Sequence, residues 1–562
     1  MGIATILLEH KLITNEQLEL ALSEQKSTGE RLDRALVRLG MISPRDVTRA
    51  ISEQFSMPIV DLTGLAVQPD VLETIPAQVV FKQNCVPIAR STNNGHPSLR
   101  VATSDPFEIT VFDELRLLTG CEIELVLAEE EELHAFIRRH FGVAGDTLDA
   151  MSQRAGEQDL DTEAPVDDEM EAAQEASVIR LVNDLLVEAI TSRATDVHIE
   201  PYEHQLIVRY RVDGVLGRAT LPPTIHRFGN AIVSRIKIMA NLNIAEKRRP
   251  QDGRITLRHK GASFDLRVSV IPMLFGEGIV LRILNKSAVL MGLDDLGMPD
   301  TIQTTWDTLI EQPYGILLVT GPTGSGKSTT LYASLNRIVS DEIKVITVED
   351  PVEYHVGGIN QIQVSHKVGL DFAAGLRSIL RHDPDVVMIG EIRDRETAEA
   401  AIQASLTGHL VFSTLHTNDA ASAITRLADL GIERFLITST LAGAMAQRLV
   451  RRICEHCITD RFLNDDEVRT LRLSLPKDKR IRVREGAGCH ECRGTGYLGR
   501  TGIFEVLAVD HAIKDLILAG ADSPEIKREA AKNGMRSLRQ SALRKLAEGA
   551  TTYEEVVRVT SS

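Results

Sequence analysis

The residues best suited to chemistry lie in one run that fits G-x-x-x-x-G-K-[ST], the pattern of a phosphate-binding loop. Glycines at these spacings let backbone N–H groups close around phosphate oxygens, and the N-terminus of the following helix faces the same anion. Lys327 is expected to reach the β- and γ-phosphates of ATP, and the Ser328 hydroxyl to ligate Mg²⁺. The predicted nucleotide site comprises Gly321, Pro322, Thr323, Gly324, Ser325, Gly326, Lys327, Ser328 and Thr329.

The residues that flank this run support the interpretation. Residues 316–320 are an apolar stretch, which is typical of a buried parallel strand. Residues 329–338 read as a helix. The order strand, glycine-rich loop and helix is the one that phosphate binding requires.

Acidic side chains follow the next predicted strand, residues 343–348. They are Glu349, Asp350 and, slightly later, Glu353. Catalytic groups of parallel sheets lie at the carboxyl ends of the strands. These acids are therefore expected near the phosphate loop.

Another predicted strand, residues 386–389, ends in Gly390 and Glu391. Most phosphate-loop enzymes hold Mg²⁺ with an aspartate at this place, which is a glycine here. Glu391 is therefore the candidate that orients or deprotonates the attacking water, and Mg²⁺ would depend on Ser328, the phosphates and water. A structural role for Glu391 is the alternative, although burying an unpaired acid is costly.

Two histidines, His409 and His416, bracket the predicted strand 409–414. Histidines that flank a core strand of an ATPase are able to sense the γ-phosphate by hydrogen bonding. The alternative is that both are ordinary packed or surface residues.

Four of the six cysteines form two C-x-x-C pairs. Such pairs supply four soft ligands for tetrahedral Zn²⁺ and imply no open coordination position, so the expected role is structural. A metal-free or degenerate site is the alternative. The isolated Cys85 and Cys121 are interpreted as small buried residues, whereas the pairs are Cys454 with Cys457 and Cys489 with Cys492.

Composition excludes several classes of protein. The chain is 43% hydrophobic and 25% charged, as in ordinary soluble domains, and its net charge of -16 argues against nucleic acid as the main partner. No apolar run reaches the ~18 residues of a membrane span, and the N-terminus lacks the pattern of a secretory signal. A cytoplasmic protein is expected, in contact with a membrane only through partners.

An internal repeat relates residues 6–25 to residues 35–54. Thr14 and Ser43 are the predicted N-caps of the equivalent helices. The positions that the repeat pairs are Leu7 with Leu36, Ile13 with Ile42, Leu18 with Val47, and Ala21 with Ala50.

The 562 residues divide into stretches of different pattern. A polar, acidic stretch with few large apolar residues predicts a flexible linker. The predicted α/β organisation is an N-terminal docking domain 1–142 (helical repeat 1–56, small α/β unit 57–142), a linker 143–176, a second α/β domain 177–286, and an ATPase domain 287–562 with a cysteine insertion 450–500.

Arginines interrupt two apolar strands predicted in the second domain. Arg267 lies within residues 264–271 and Arg282 within residues 279–284. An arginine in such a strand needs a counter-charge. From the residues alone, a local salt bridge is the favoured explanation.

Taken together, these features resemble the secretion ATPases of the GspE/PilB family over almost the whole chain. The stretches that carry the resemblance are residues 194–201, 246–254, 321–332, 345–354, 381–394 (RHDPDVVMIGEIRD), 407–418 (TGHLVFSTLHTN) and 496–505 (GYLGRTGIFE).

The resemblance implies a homohexamer whose ATP sites lie between a RecA-like domain and the preceding PAS-like α/β domain. It implies aspartate-box acids, a Walker B glutamate, histidine-box histidines and three arginines that approach the phosphates as fingers. In this order they are Glu349, Asp350 and Glu353; Glu391; His409 and His416; and Arg267, Arg282 and Arg500.

The N-terminal repeat is similar to the MshE-type module that binds cyclic di-GMP in some members. That module favours R-L-G at the start of each repeat, whereas the first repeat here opens with Gly2-Ile3-Ala4 and the second has Arg31-Leu32-Asp33. These departures favour docking to an inner-membrane platform or its cytoplasmic adaptor over binding of cyclic di-GMP.

The function implied by the resemblance is ATP hydrolysis at the cytoplasmic face of the bacterial inner membrane, driving assembly of pilin-like subunits for type II secretion. Extension of a type IV pilus is the close alternative, since the tetracysteine insertion argues against a retraction ATPase. A nucleotide switch that does not hydrolyse ATP is opposed by the presence of Lys327, Ser328 and Glu391. A nucleic-acid translocase is opposed by the acidic charge.

Overall fold

The computed structural model describes residues 4, 7–8, 10, 12–28, 31–65, 67–93, 96–106, 109–141, 175–285, 291–473 and 480–560. The chain forms two compact units, residues 1–285 and 286–562, which we call unit 1 and unit 2. The predicted linker lies outside the described residues as far as residue 174.

Helices make up the first part of unit 1. Both predicted N-caps are present: the Ser43 hydroxyl accepts from the Asp46 N–H, and the Thr14 hydroxyl accepts from the Gln17 N–H at 3.3 Å. The helices are α1 (Asn15–Thr28), α2 (Leu32–Arg38), α3 (Pro44–Phe55), α4 (Pro69–Leu72) and α5 (Ala77–Gln83).

A small three-stranded sheet follows these helices. Its middle strand pairs antiparallel with the first and parallel with the third. Cys85 and Cys121 are buried in its apolar core, as the sequence predicted. The elements are β1 (Cys85–Asn93), β2 (His96–Thr103), α6 (Ile109–Thr119), β3 (Glu122–Leu127) and α7 (Glu130–Phe141).

The helical repeat has its own core, which explains the spacing of the repeat. Leu127, at the end of β3, joins this core and so connects the repeat to the small sheet. The repeat contributes all the positions that the sequence pairs: Leu7, Leu36, Ile13, Ile42, Leu18, Val47, Ala21 and Ala50.

An antiparallel six-stranded sheet makes up the rest of unit 1, with strand order β6-β5-β4-β9-β8-β7. Two helices bury their apolar faces with this sheet in a single core. The elements are α8 (Ala176–Thr191), β4 (Ala194–Tyr202), β5 (Gln205–Val212), β6 (Val215–Arg218), α9 (Gly229–Met239), β7 (Gln251–His259), β8 (Ala262–Met273) and β9 (Gly276–Asn285).

Unit 2 is built on a seven-stranded sheet with strand order β12-β11-β13-β14-β10-β15-β18. The strands from β12 to β15 run parallel, and β18 closes the sheet antiparallel to β15. The first elements are α10 (Asp300–Ile310), β10 (Gly315–Thr320), α11 (Lys327–Ile338), β11 (Val345–Glu349), β12 (Ile359–Gln363), α12 (Phe372–Ile379), β13 (Val386–Ile389), α13 (Arg395–Leu406) and β14 (Leu410–Leu415).

The remaining elements carry the cysteine pairs and a group of C-terminal helices. They are α14 (Ser422–Asp429), α15 (Arg434–Thr440), β15 (Leu441–Ile453), β16 (Ile458–Phe462), α16 (Asp465–Thr470), β17 (Arg482–Gly486), β18 (Tyr497–Ala508), α17 (His511–Ala519), α18 (Ser523–Lys532), α19 (Leu538–Ala547) and α20 (Tyr553–Thr560).

Strand β10 shows that the sheet of unit 2 is covered on both faces. Ile316 and Leu318 belong to one apolar core, while Leu317 and Val319 belong to a second. Alternate residues of a strand point to opposite faces, so helices must pack on each side. The predicted α/β class is therefore confirmed. Within the described ranges, every helix is too short or too polar to cross a bilayer.

Candidate functional site

Four adjacent strands bring the predicted chemical groups to one edge of the unit 2 sheet. Strands β11, β13, β14 and β10 are neighbours in that order and run parallel. Their carboxyl ends therefore meet at the edge where ligands bind in such sheets. The phosphate loop follows β10, Glu349 ends β11, Glu391 follows β13, and His416 follows β14.

The phosphate loop has a backbone that requires its glycines. Gly321, Gly324 and Gly326 have φ of 145°, 78° and 90°, a region that favours glycine. A Cβ at Gly321 would overlap the carbonyl oxygen of Gln447, and a Cβ at Gly326 would lie 2.8 Å from Gln447 Nε2. Gly326 is followed directly by α11, which begins at Lys327. The loop is thus fixed at both ends by packing.

The Lys327 ammonium group lies against its own loop. Nζ donates to the carbonyl oxygens of Gly321 at 2.9 Å and Pro322 at 3.1 Å. Burial lowers the pKa of Lys327, while the negative charge of Glu391 opposes this shift. Because phosphate oxygens favour the charged form of an amine, this lysine suits a polyanionic ligand.

Two serine hydroxyls of the loop are available to a ligand. The Ser325 hydroxyl is buried, with no hydrogen-bond partner among the described residues. Ser328 is exposed in the first turn of α11, where the backbone N–H groups have no intrahelical acceptor. A hydroxyl without a partner beside helix N–H groups fits phosphate oxygens, and the exposed hydroxyl of Ser328 fits a Mg²⁺ ligand.

Glu391 lies between the side chains of an arginine and a histidine. Arg393 forms an ion pair with Glu391 Oε1, and His416 Nε2 lies 3.2 Å from Glu391 Oε2. The Glu391 side chain is 15% exposed, whereas those of Arg393 and His416 are 60% and 53% exposed. The carboxylate is therefore held by groups that are free to move into solvent.

Packing explains why a glycine precedes this acid. A Cβ at Gly390 would lie 3.2 Å from Phe372 Cε1 and 3.4 Å from Glu349 Cα. The Gly390 carbonyl also accepts from the Thr414 hydroxyl at 2.8 Å. The end of β13 therefore leaves little room for an aspartate, and the carboxylate comes one residue later.

Glu349 has quite different surroundings. It is 5% exposed, and its carboxylate accepts from the Tyr332 hydroxyl, from Thr347 Oγ1 at 2.6 Å and from Gln361 Nε2 at 3.1 Å. Burial, followed by the charge of Glu349, raises the pKa of Tyr332 strongly, so this tyrosine is a neutral donor. Glu349 thus connects α11, β11 and β12.

The two acids after Glu349 lie on the loop that leaves β11. Asp350 is partly exposed, and its carboxylate lies 3.5 Å from His366 Nε2. The Glu353 N–H donates to the Tyr332 hydroxyl at 3.4 Å. The loop that carries both acids is therefore attached to the helix that follows the phosphate loop.

The structure does not bring His409 to this edge. His409 precedes β14, at the amino end of the strand, whereas His416 follows the carboxyl end. Six residues of strand separate the two ends, which is about 20 Å. The His409 Nδ1 lies 2.8 Å from the Ala404 carbonyl oxygen, which places it at the end of α13.

The predicted finger arginines lie in both units. In unit 1, Arg267 pairs across the sheet with Arg254 on one side and Arg282 on the other. Arg282 lies 3.2 Å from Asp196, so it makes the local salt bridge considered from sequence. In unit 2, Arg500 lies on β18 opposite Arg451, beyond the carboxyl edge of the sheet.

Several residues at this edge were not found by reasoning from sequence. Arg393 and His366 pair with predicted acids, and Tyr332 and Gln361 hold Glu349. A positive charge two residues after a lone acid at a strand end was an available signal for Arg393. For Gln361 there was none, because its acceptor is on another strand.

The four paired cysteines form one cluster at the end of β15. Their sulfur atoms all lie within 4.8 Å of one another. The distances from Cys454 to Cys489, from Cys457 to Cys492 and from Cys489 to Cys492 are 3.7, 3.8 and 3.7 Å. A tetrahedral ion with Zn–S bonds of about 2.3 Å has sulfur–sulfur edges of about 3.8 Å. The geometry therefore fits Zn²⁺.

Backbone groups favour the thiolate at one corner of this cluster. The N–H groups of Cys489 and Gly496 donate to Cys492 Sγ at 3.1 and 3.2 Å. Burial acts against ionisation, yet these donors lower the pKa of Cys492 to about 7. Burial instead raises the pKa of Cys454 to about 12. A thiolate is the form that binds a metal.

Comparison with known proteins identifies the family. A model of the type II/IV secretion system protein family matches residues 171–558. The chain belongs to this family. An MshEN domain model also matches residues 55–147. The sequence pattern places the likeness to this module in the N-terminal repeat, whereas the match begins directly after that repeat.

Relatives in this secretion family span the chain. The type IV pilus assembly ATPase PilB of Myxococcus xanthus is 44% identical over 558 residues, covering 98% of this chain and 97% of the relative. Type II secretion system protein E of Xanthomonas campestris is 43% identical over 569 residues, covering 99% and 98%. The relatives are therefore secretion and pilus assembly proteins of both kinds.

A solved structure supports the fold of this family member. The X-ray structure of the Legionella pneumophila ATPase DotB matches with a TM-score of 0.51 at 23% identity, covering 67% of this chain and 95% of that chain. At this identity the likeness shows the fold alone.

Proposed function

We propose that the chain is a motor that hydrolyses ATP to drive assembly of pilin-like subunits at a platform in the inner membrane. The observation that carries this proposal is the carboxyl edge of the unit 2 sheet. There the phosphate loop, Glu391 and His416 converge, and Lys327 lies within the electrostatic influence of Glu391. Positioning and charge stabilisation are the main requirements of phosphoryl transfer.

Each group has a distinct task in this proposal. Lys327 exchanges its loop carbonyls for the β- and γ-phosphates, and Glu391 orients or deprotonates the attacking water. His416, in contact with Glu391, senses the γ-phosphate. Ser328 would hold Mg²⁺, which supplies charge neutralisation when bound. Asp350 and Glu353 belong to the polar loop that leaves β11 beside this edge, and we assign them a supporting catalytic role there.

The arginines of unit 1 fit an anionic ligand. Like charges directly opposite in a sheet are unfavourable, and Arg254, Arg267 and Arg282 form a row across three strands. Arg282 already has the Asp196 carboxylate beside it, and a phosphate group would add further negative charge to this row. We therefore assign phosphate-approaching, finger-like roles to Arg267 and Arg282, and to Arg500 of unit 2, in a homohexamer.

The choice between secretion and pilus extension depends on partners. We favour type II secretion, with type IV pilus extension as the second candidate because the Myxococcus xanthus PilB is as similar as the type II protein. In either case the protein would work in the cytoplasm at the membrane surface, through its platform and adaptor rather than by insertion.

The N-terminal part is proposed to dock onto that platform or its adaptor. Arg31 lies 2.7 Å from Asp33 and 2.6 Å from Asp105, and Arg34 lies 3.1 Å from Asp105. This arginine cluster is thus engaged by acids of the protein itself. Cyclic di-GMP would have to displace them, so docking is the preferred role; calorimetric titration with cyclic di-GMP distinguishes the two.

The test of the motor is ATP hydrolysis by the purified chain beside Glu391→Gln, with the oligomeric state measured in the same samples. We expect turnover that rises as hexamers form, and a variant that binds ATP but loses at least about 100-fold in kcat. Equal activity of the two proteins would contradict the role of Glu391. Equal inactivity as hexamers would favour the nucleotide switch.

Zinc binding is proposed for the cysteine cluster and is tested by alkylation. After chelator treatment, iodoacetamide should label Cys492 increasingly as the pH rises through about 7, because the thiolate is the reactive form. Burial raises the pKa of Cys85 to about 12, so Cys85 should stay unlabelled. Added Zn²⁺ should protect Cys492; labelling that Zn²⁺ does not change would contradict the site.

A further inference from the structure

One buried amide lies directly beneath the phosphate loop. Gln447 is on β15, which pairs with β10 up to Thr320 opposite Ala446. Gln447 is therefore beside the first loop residue, Gly321. Gln447 is only 2% exposed, so the polar atoms of its side chain need hydrogen-bond partners within the protein.

The amide oxygen is bonded to the helix that follows the loop. Gln447 Oε1 accepts from Thr330 Oγ1 at 2.6 Å, with both residues buried. The Thr330 N–H in turn donates to the Gly326 carbonyl at 3.1 Å. Gln447 is thus tied to the first turn of α11, which also carries Lys327 and Ser328.

The same residue supports both ends of the loop. Its carbonyl oxygen occupies the space that a Cβ at Gly321 would need, and its Nε2 lies 2.8 Å from the place of a Cβ at Gly326. The two glycines have φ of 145° and 90°, a region that residues with a side chain rarely adopt, so glycine is required at both positions. Gly321 and Gly326 therefore both pack against Gln447, the first against its backbone and the second against its side chain.

The chemistry of the site calls for an amide. An apolar side chain of the same length would leave the Thr330 hydroxyl buried without its acceptor, which costs free energy. A charged side chain at the same place would have to be desolvated, which costs more free energy than burying an amide. Glutamine provides an acceptor for Thr330 and a neutral group against Gly326.

We propose that Gln447 is a positioning residue for ATP binding, which acts by holding the two ends of the phosphate loop and the first turn of α11 in the conformation that receives the phosphates. It acts through the loop and not by contact with the reacting atoms. The inference rests on the proposed function, because it assumes that the loop binds Mg-ATP. A preorganised loop loses less conformational freedom when its ligand binds.

The test measures the dissociation constant of the full chain for ATPγS in the presence of Mg²⁺ by calorimetry. Gln447→Met should weaken binding about tenfold, which corresponds to the loss of one buried hydrogen bond and of loop order. Thr330→Val should weaken binding to a similar extent. Thr330→Ser keeps the hydroxyl and should leave the dissociation constant within about twofold of the wild-type value. The double variant Gln447→Met, Thr330→Val should be no weaker than either single variant, because both remove the same interaction.

Ser334→Ala is the matched control. Ser334 is buried on the same helix, one turn after Thr330, where its hydroxyl accepts from Trp306 Nε1 at 2.9 Å and donates to the Thr330 backbone carbonyl at 2.8 Å, without contact to the Thr330 hydroxyl that Gln447 accepts from. This variant should lower the melting temperature about as much as Thr330→Val while leaving the dissociation constant within about twofold. A residue with a purely structural role would behave in the same way as this control.

The outcomes separate the two levels of the argument. If the wild-type chain does not bind the nucleotide, the proposed function fails. If the wild type binds but Gln447→Met binds equally well, or if Ser334→Ala loses as much affinity, only the role of Gln447 is overturned. Additive losses in the double variant would also overturn it.

Discussion

Two glutamates lie at the carboxyl ends of neighbouring strands of the same sheet, yet their surroundings are opposite in kind. Glu349 is buried and accepts from Tyr332, Thr347 and Gln361, which are neutral donors. Glu391 is touched by Arg393 and His416, which are cationic or titratable and extend into solvent. The end of β11 is fixed, and the end of β13 is adjustable.

This difference teaches which carboxylate is suited to chemistry. A buried network whose members are all satisfied specifies one conformation, so Glu349 is suited to holding the loop that carries Asp350. A carboxylate whose partners extend into solvent is able to exchange them for a water or a phosphate during a cycle. Both residues are glutamates, so the difference in their roles comes from their surroundings alone.

The largest effect that tests this contrast is on stability. Glu349→Ala should lower the free energy of unfolding by about 3 kcal/mol, because three donors lose a buried acceptor. Glu391→Ala should lower it by less than about 0.5 kcal/mol, since its partners return to solvent. Urea denaturation followed by circular dichroism measures both. Similar losses in the two variants would remove the distinction.

A smaller effect concerns the partners of Glu391. Arg393→Ala should reduce kcat about tenfold with little change in KM, because the carboxylate loses a group that orients it. Arg393→Lys should recover part of the loss. The control is Arg395→Ala, which removes only a surface pair with Glu399 and should change kcat less than twofold. Steady-state kinetics over a range of Mg-ATP concentrations give kcat and KM for each variant. An equal effect of both alanine variants would refute the assignment.

The smallest expected effect comes from a single hydroxyl. Tyr332→Phe keeps the ring but removes one donor to Glu349 and the acceptor of a long hydrogen bond from the Glu353 N–H, so the free energy of unfolding should fall by about 1 kcal/mol. Tyr314 is exposed, and Tyr314→Phe should have no measurable effect. Thermal denaturation of the two variants side by side gives the result. A silent Tyr332→Phe would mean that Thr347 and Gln361 suffice to hold Glu349.

Much of this arrangement could be predicted from the sequence. The apolar runs ended where strands end, and each was followed by a residue type suited to phosphate chemistry. In a parallel sheet this alone places the loop, Glu391 and His416 at one edge. The positions that the N-terminal repeat pairs likewise lie together in one core of the structure.

The rest depended on contacts that spacing does not encode. Nothing near Glu349 in the chain indicates that Gln361 will reach it from the next strand, or that Tyr332 will reach it from α11. His409 and His416 look equivalent in the sequence because both flank β14. Only the direction of that strand shows that they lie at opposite ends of the sheet.

The fluorescence of the chain's single tryptophan depends on how α11 is packed. Trp306 is fully buried, and its indole N–H donates to Ser334 on the helix that begins at the phosphate loop. Its emission maximum should therefore lie at shorter wavelength in the folded protein and move to longer wavelength when unit 2 unfolds and exposes the indole to water. Unit 1 contains no tryptophan, so intrinsic fluorescence reports on the ATPase half of the molecule without any label.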